Sequence, residues 1–286
     1  MTGPSSRFRG KDPRGPRPVT PPDPTLTSRP VPRTRVFPLE TYGAGASPDI
    51  LTSVKPLEVL QAEPESAESR NPFMDSIFHL LKEVTHWETV SQREDGYSVR
   101  DVTWGFYVSV TSYSDTALEK LPQALHNWVK VTERGCIRGT ARPYREEAIK
   151  RFKLDVIKDE EALQGASDDR VREEFRAQIR GLQLTDDDYP RLPPPARNTH
   201  CFVLDEASIA MLADLEFPED PEDDYGAFGG KNIKFIDGNW ERPKESHSFS
   251  TYRGVGYVAI TGLAWVYTLL SSGDFMEDWH PLNGTP

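Results

Sequence analysis

The stretch Trp104-Gly105-Phe106-Tyr107-Val108-Ser109-Val110, followed by Ser114-Asp115-Thr116 and then by Leu118, Leu121, Leu125 and Trp128-Val129, decides the fold class. Aromatic and β-branched residues fit a pleated, half-buried surface, so 104–110 reads as a strand. Ser114, Asp115 and Thr116 supply the short oxygen side chains that cap helices. The apolar residues that follow recur at spacings of three and four, one face of an amphipathic helix. Pro122 interrupts that pattern and predicts either a kink or a fresh helix start. Trp104 and Phe106 fall on one side of the strand and Tyr107 on the other. A strand that needs a cover, followed by a helix with an apolar face, locates a core.

Working outward, the same alternation recurs. Toward the N-terminus, Asn71-Pro72 offers a cap and a first helical residue, and Phe73, Ile77, Leu80-Leu81 and Val84 mark a helix through about residue 85. His79 and His86 on that helix are seven apart and read as surface or boundary residues. Toward the C-terminus, residues 153–157 alternate as a second strand and Glu160–Leu163 is a helical turn. Ser167 caps a helix over 168–180 that buries Val171, Phe175 and Ile179. A loop over 181–197 leads to a third strand, 199–204, and Asp205 caps a helix with Ile209 and Leu212 inward. The acidic run 216–224 reads as a solvated loop. Strands at 232–236 and 254–260 and a helical face at Leu263, Val266-Tyr267 and Leu270 complete the order. This predicts one α+β (or α/β) domain over residues 71–275, a mixed sheet of about five strands with packed helices. A flexible tail is expected at 276–286.

Residues 1–70 hold thirteen of the 25 prolines and few large apolar residues, so they read as a disordered tail. Its Pro21-Pro22-Asp23-Pro24 and Arg29-Pro30-Val31-Pro32-Arg33 runs are polyproline-like, with a plain flexible tail the simpler reading. Residues 1–35 carry eight cations against two acids, a net +6, which leaves −17 for the rest of a chain whose total is −11. A body that acidic repels phosphate backbones, which excludes nucleic-acid binding by the folded part. Cys136 and Cys201 cannot make a disulfide framework or a zinc spacing. No apolar run approaches the ~20 residues that span a bilayer, and the N-terminus shows no apolar h-region of a secretory signal. The expected setting is the cytoplasm, with the nucleus as a second location.

Catalytic signatures are thin. There is no phosphate-binding loop and no Gly-x-Ser-x-Gly elbow, and no metal or cofactor is expected. Gly254, Gly256 and Gly262 bracket a strand rather than join strand to helix. Cys201 beside His200 cannot form a dyad, because neighbours in a strand point to opposite faces. Asp205 and Asp237 are the two catalytic candidates. Each ends a predicted strand, and if those strands were parallel neighbours the carboxylates would converge. Otherwise Asp205 caps its helix and Asp237 starts a turn. Trp104, Tyr107, Tyr113, Trp240 and Tyr257 are the binding candidates, as the lining of an apolar pocket or simply as core.

Several blocks resemble a widespread family of uncharacterised filamentous-fungal proteins. They are Trp104-Gly105-Phe106 with Thr111, Tyr113-Ser114-Asp115; the acidic turn 159–163 with Ala166-Ser167-Asp168, Val171-Arg172-Glu173 and Phe175; 200–205; Ile236-Asp237 with Trp240; and Gly254, Gly256, Val258 and Tyr267. They occur in the family's order over residues ~100–272. Val110 stands where members commonly carry Arg, which removes any anion-binding role of that arginine. The resemblance implies an orphan soluble fungal protein, encoded near specialised-metabolism or self-recognition genes, and no activity transfers with it. Residues and resemblance together lead to a non-enzymatic binding or interaction domain with a protein or small-molecule partner. The alternative is an accessory enzyme of fungal specialised metabolism, using carboxylate chemistry in an aromatic pocket.

Overall fold

The deciding strand spans Trp104–Val110 and all seven of its residues are buried. This computed structural model describes residues 38–47, 50–64, 76–91, 103–137, 142–183, 195–241 and 252–271. Its strands are β1 (Leu39–Tyr42), β2 (Trp104–Val110), β3 (Phe152–Ile157), β4 (His200–Leu204), β5 (Asn232–Asp237) and β6 (Val255–Ala259). They form one mixed sheet in the order β1-β3-β2-β4-β5-β6. β2 runs parallel to β3 and β4, and the outer pairs β1/β3, β4/β5 and β5/β6 are antiparallel. The α+β class with a mixed sheet is thus the observed architecture, with six strands among the described residues where about five are expected.

The helices, in chain order, are α1 (Ile50–Ser53), α2 (Leu57–Gln61), α3 (Ser76–Ser91), α4 (Asp115–Ile137), α5 (Arg142–Arg151), α6 (Glu160–Leu163), α7 (Asp168–Gln183), α8 (Pro195–Thr199), α9 (Glu206–Ala213), α10 (Asp224–Phe228) and α11 (Leu263–Ser271). Strand periodicity splits the core into two layers. Trp104, Phe106, Val108 and Val110 join the large cluster under α3, α4, α5, α9 and α11. Tyr107 lies in a smaller cluster with Val171, Phe175 and Ile179 of α7. Phe106 is the hub of the large layer, edge-on to Phe202, Phe235 and Tyr267 at 5.1, 5.4 and 5.7 Å. α4 is a single helix through Pro122. Pro122 and Leu118, whose carbonyl the proline leaves without an amide partner, are both exposed.

Two sequence expectations are corrected. The stretch 1–70 is not tail throughout: β1 pairs with β3, and α1 and α2 follow it. A four-residue strand among prolines carries no period to read. It is held by long-range bonds instead, Thr41 Oγ1 to Asp155 at 2.8 Å and Lys158 Nζ to Glu40 at 2.8 Å. Lys55 N–H donates to the buried Glu147 carboxylate at 2.9 Å, and Arg151 donates to Lys55 C=O at 2.9 Å. These bonds also explain α5, which composition hid. Its buried face includes Glu147 and Arg151, bonded to each other at 2.9 Å, so charge marks the inside. The acidic run 216–224 is not wholly solvated either. Asp224 is buried against Arg134, which also donates to Pro218 C=O at 2.8 Å, and Lys130 lies 4.1 Å over the Phe217 ring. Residues 1–37, Asn71-Pro72, Phe73 and 272–286 lie outside the described residues.

Gly105 is required where it stands. Its φ is +127°, and a Cβ there would meet Lys153 O at 1.8 Å. β2 can approach β3 in this register only because the residue has no side chain.

Candidate functional site

In open α/β sheets a ligand crevice forms at the carboxyl ends of neighbouring parallel strands whose connections leave on opposite faces. Here β2 leads into α4 on the large-core face, while β3 leads into α6 and α7 on the other. The crevice position therefore lies between the ends of β2 and β3. Tyr113 fills it. Its hydroxyl accepts from Asp159 N–H at 2.7 Å, and its own N–H donates to Gln164 Oε1 at 2.8 Å. Gly165 N–H closes the loop onto Thr111 C=O at 2.9 Å. Burial pushes the Tyr113 phenol up to about 12, so it stays protonated at neutral pH.

The carboxylates around this end are capping groups. Asp159 Oδ1 accepts from Ala162 N–H at 3.0 Å at the start of α6. Asp205 Oδ1 accepts from Ser208 N–H at 2.8 Å and Ser208 Oγ at 2.7 Å at the start of α9. Asp115 and Glu206 sit in first helical turns. Negative charge there offsets the helix dipoles, and it repels an anionic ligand.

Asp205 and Asp237 do not meet. β4 and β5 are antiparallel and Asp237 is opposite His200, at the start of β4. Asp205 follows the other end of β4, about 16 Å away at ~3.3 Å per residue. Asp237 makes the turn its sequence suggested. Its Oδ1 accepts from Asn239 N–H at 2.8 Å and Trp240 N–H at 3.2 Å, and Tyr252 OH donates to Oδ2 at 3.3 Å.

Sequence reading did not connect His200 with Asp237, because the link is a cross-strand register. His200 Nε2 lies 3.9 Å from Asp237 Oδ1, beyond hydrogen-bond reach, and Nδ1 is 2.7 Å from Thr199 Oγ1. The ring stacks on Phe235 at 5.2 Å. Burial pulls the imidazole down to about 4, against a smaller opposing pull from Asp237. A hydroxyl–imidazole–carboxylate row is thus laid out in space, but its imidazole is neutral and too weak a base to activate Thr199. Cys201 next to it is fully buried, and burial pushes its thiol up to about 12. No thiolate forms there at neutral pH.

The aromatic candidates are spread over the fold. Trp104 is buried, its indole donating to Ala148 C=O at 2.7 Å, and Tyr107 packs on Phe175 at 5.9 Å on the opposite face. Trp240 lies 4.8 Å under the Arg172 guanidinium, which donates to Asp237 C=O at 2.9 Å and Gly254 C=O at 3.2 Å. Arg172 therefore clasps the ends of β5 and β6 together. Tyr257 is exposed on β6. Of the five, Trp104 and Tyr107 are core, Tyr113 and Trp240 are structural anchors, and Tyr257 alone faces solvent. Among the described residues no group of three or more His, Cys, Asp or Glu could hold a metal ion, and no helix is long and apolar enough to cross a membrane. No family model, curated protein or solved structure matches the chain.

Proposed function

We propose that the chain is a non-enzymatic binding or interaction domain, and we assign it, on the motifs over residues ~100–272, to the filamentous-fungal family it resembles. One observation carries this reading. Asp205 and Asp237 stand at opposite ends of β4, and each is occupied by the backbone amides of its own turn. The enzymatic alternative needs them together. The Tyr113 plug at the carboxyl ends of the parallel strands supports the same reading, because it fills the place where a small substrate would sit.

The test is the double variant Asp205→Asn/Asp237→Asn. Asn caps a helix and makes the turn about as well as Asp, but it carries no charge for catalysis. The expected result is an unchanged melting temperature and an unchanged set of proteins cross-linked to the chain in cells. A folded double variant that kept its partners but lost the cellular phenotype of the wild type would overturn the reading in favour of the enzyme.

A further inference from the structure

The two edges of the sheet are built differently. β1 is four residues long, follows Pro38 and contains Glu40, which is paired with Lys158. Prolines, charges and shortness are the devices that keep an edge from pairing with another chain. β6, Val255-Gly256-Tyr257-Val258-Ala259, has neither a charge nor a proline.

Its outward row follows from the ladder. Asp237 N–H donates to Gly254 C=O and Ile260 N–H to Lys231 C=O, both at 3.0 Å. Bonded positions alternate in an antiparallel pair, so Gly254, Gly256, Val258 and Ile260 turn their backbone toward β5. Val255, Tyr257 and Ala259 turn theirs away from it, and among the described residues β6 has no neighbour but β5. Tyr257 and Ala259 are exposed, and Val255 is half-buried. Two cations bracket the strand. Arg253 lies just before it, and Lys231 is bonded through its carbonyl to Ile260 just after it. Among the described residues neither has a carboxylate partner, unlike Lys234, which is held by Asp168 at 2.9 Å.

From this edge we propose that β6 takes up an extended, acid-bearing segment of a partner protein as a seventh strand. Main-chain bonds to Val255, Tyr257 and Ala259 would give affinity, as in other strand additions. Acids near both ends of a segment of about seven residues would meet Arg253 and Lys231, at ~3.3 Å per residue. The overall acidity of the chain does not oppose this, because exposed charges act within about 8 Å at physiological salt and, among the described residues, the charges that bracket β6 are these two cations. The inference rests on the binding-domain reading and names its surface and partner class.

The test uses the full chain and synthetic nine-residue peptides of alternating Val and Thr with Glu at both ends. Lys-ended and proline-interrupted peptides serve as controls. Binding of the Glu-ended peptide is expected to slow exchange of the Val255, Tyr257 and Ala259 amides about tenfold or more, and the controls are expected to bind at least about tenfold more weakly. Tyr257→Pro removes an outward amide without touching the β5 ladder and is expected to abolish binding. Lys231→Glu/Arg253→Glu leaves the backbone alone and is expected to reverse the preference toward the Lys-ended peptide, which keeps the test open if Tyr257→Pro fails to fold. Equal binding of both charges overturns the proposal, as does protection elsewhere on the fold. Self-association that protects the same amides without peptide also overturns it, since the occupant is then a second copy. Cellular partners retained by Lys231→Glu/Arg253→Glu overturn the edge alone, whereas a folded Asp205→Asn/Asp237→Asn variant that keeps its partners but loses the cellular phenotype overturns the binding-domain reading itself.

Discussion

Replacing Phe106 with Ala tests the central packing. Phe106 is wholly buried at the middle of β2, and its ring meets the rings of Phe202, Phe235 and Tyr267 edge-on within 6 Å. Truncation of a buried Phe costs about 3–5 kcal/mol, of which part is transfer and part the cavity left behind. Each lost edge-to-face pair adds about 0.5–1.5 kcal/mol beyond area, so three pairs put the expected cost near the top of that range, about 4–5 kcal/mol. The neighbours cannot collapse easily. Phe202 and Phe235 sit on strands fixed by register, and Trp128 packs against Phe202 from α4 at 5.0 Å. Urea unfolding followed by tryptophan fluorescence reads the change. With a slope of about 2–3 kcal/mol/M the midpoint should fall by about 1.3–2.5 M at unchanged slope. A loss under about 1 kcal/mol would refute the claim that this face organises the fold.

The other predictions address single devices. Gly105→Ala places a Cβ 1.8 Å from Lys153 O at φ +127°. It should cost more than about 3 kcal/mol and lower the melting temperature by about 6–12 °C, and calorimetry showing a shift under 2 °C would mean β2 and β3 are not this close. Asp237→Asn should leave stability within about 0.5 kcal/mol of wild type, whereas Asp237→Ala should lose about 1–2 kcal/mol by orphaning two amides, as paired denaturation curves would show. His200 is neutral when folded, down at about 4 against an ordinary 6.5. The unfolded chain thus binds the extra proton between these values, and stability falls as pH drops from about 6.5 toward 4, by on the order of 3 kcal/mol. His200→Phe should flatten that part of the stability–pH profile, and an unchanged slope would show that another group titrates there.

What the sequence determined by itself was what local chemistry controls. The strand 104–110, the caps at Asp205 and Ser167, the turn at Asp237-Gly238 and the inward faces of α7, α9 and α11 all follow from residue type and period. Those signals act over a few residues, so neighbours in the chain suffice to read them. Tertiary structure decided everything that depends on partners far along the chain. β1 and α5 have little apolar period, and they are held by Thr41 on Asp155 and by Lys55 on Glu147 and Arg151, contacts that local composition does not encode. The same holds for the candidate site. Asp205 and Asp237 looked alike in sequence because each ends a strand. Only the antiparallel register of β4 and β5 sets them at opposite ends, since strand direction is fixed by the chain's path through the whole sheet and not by either strand's own residues.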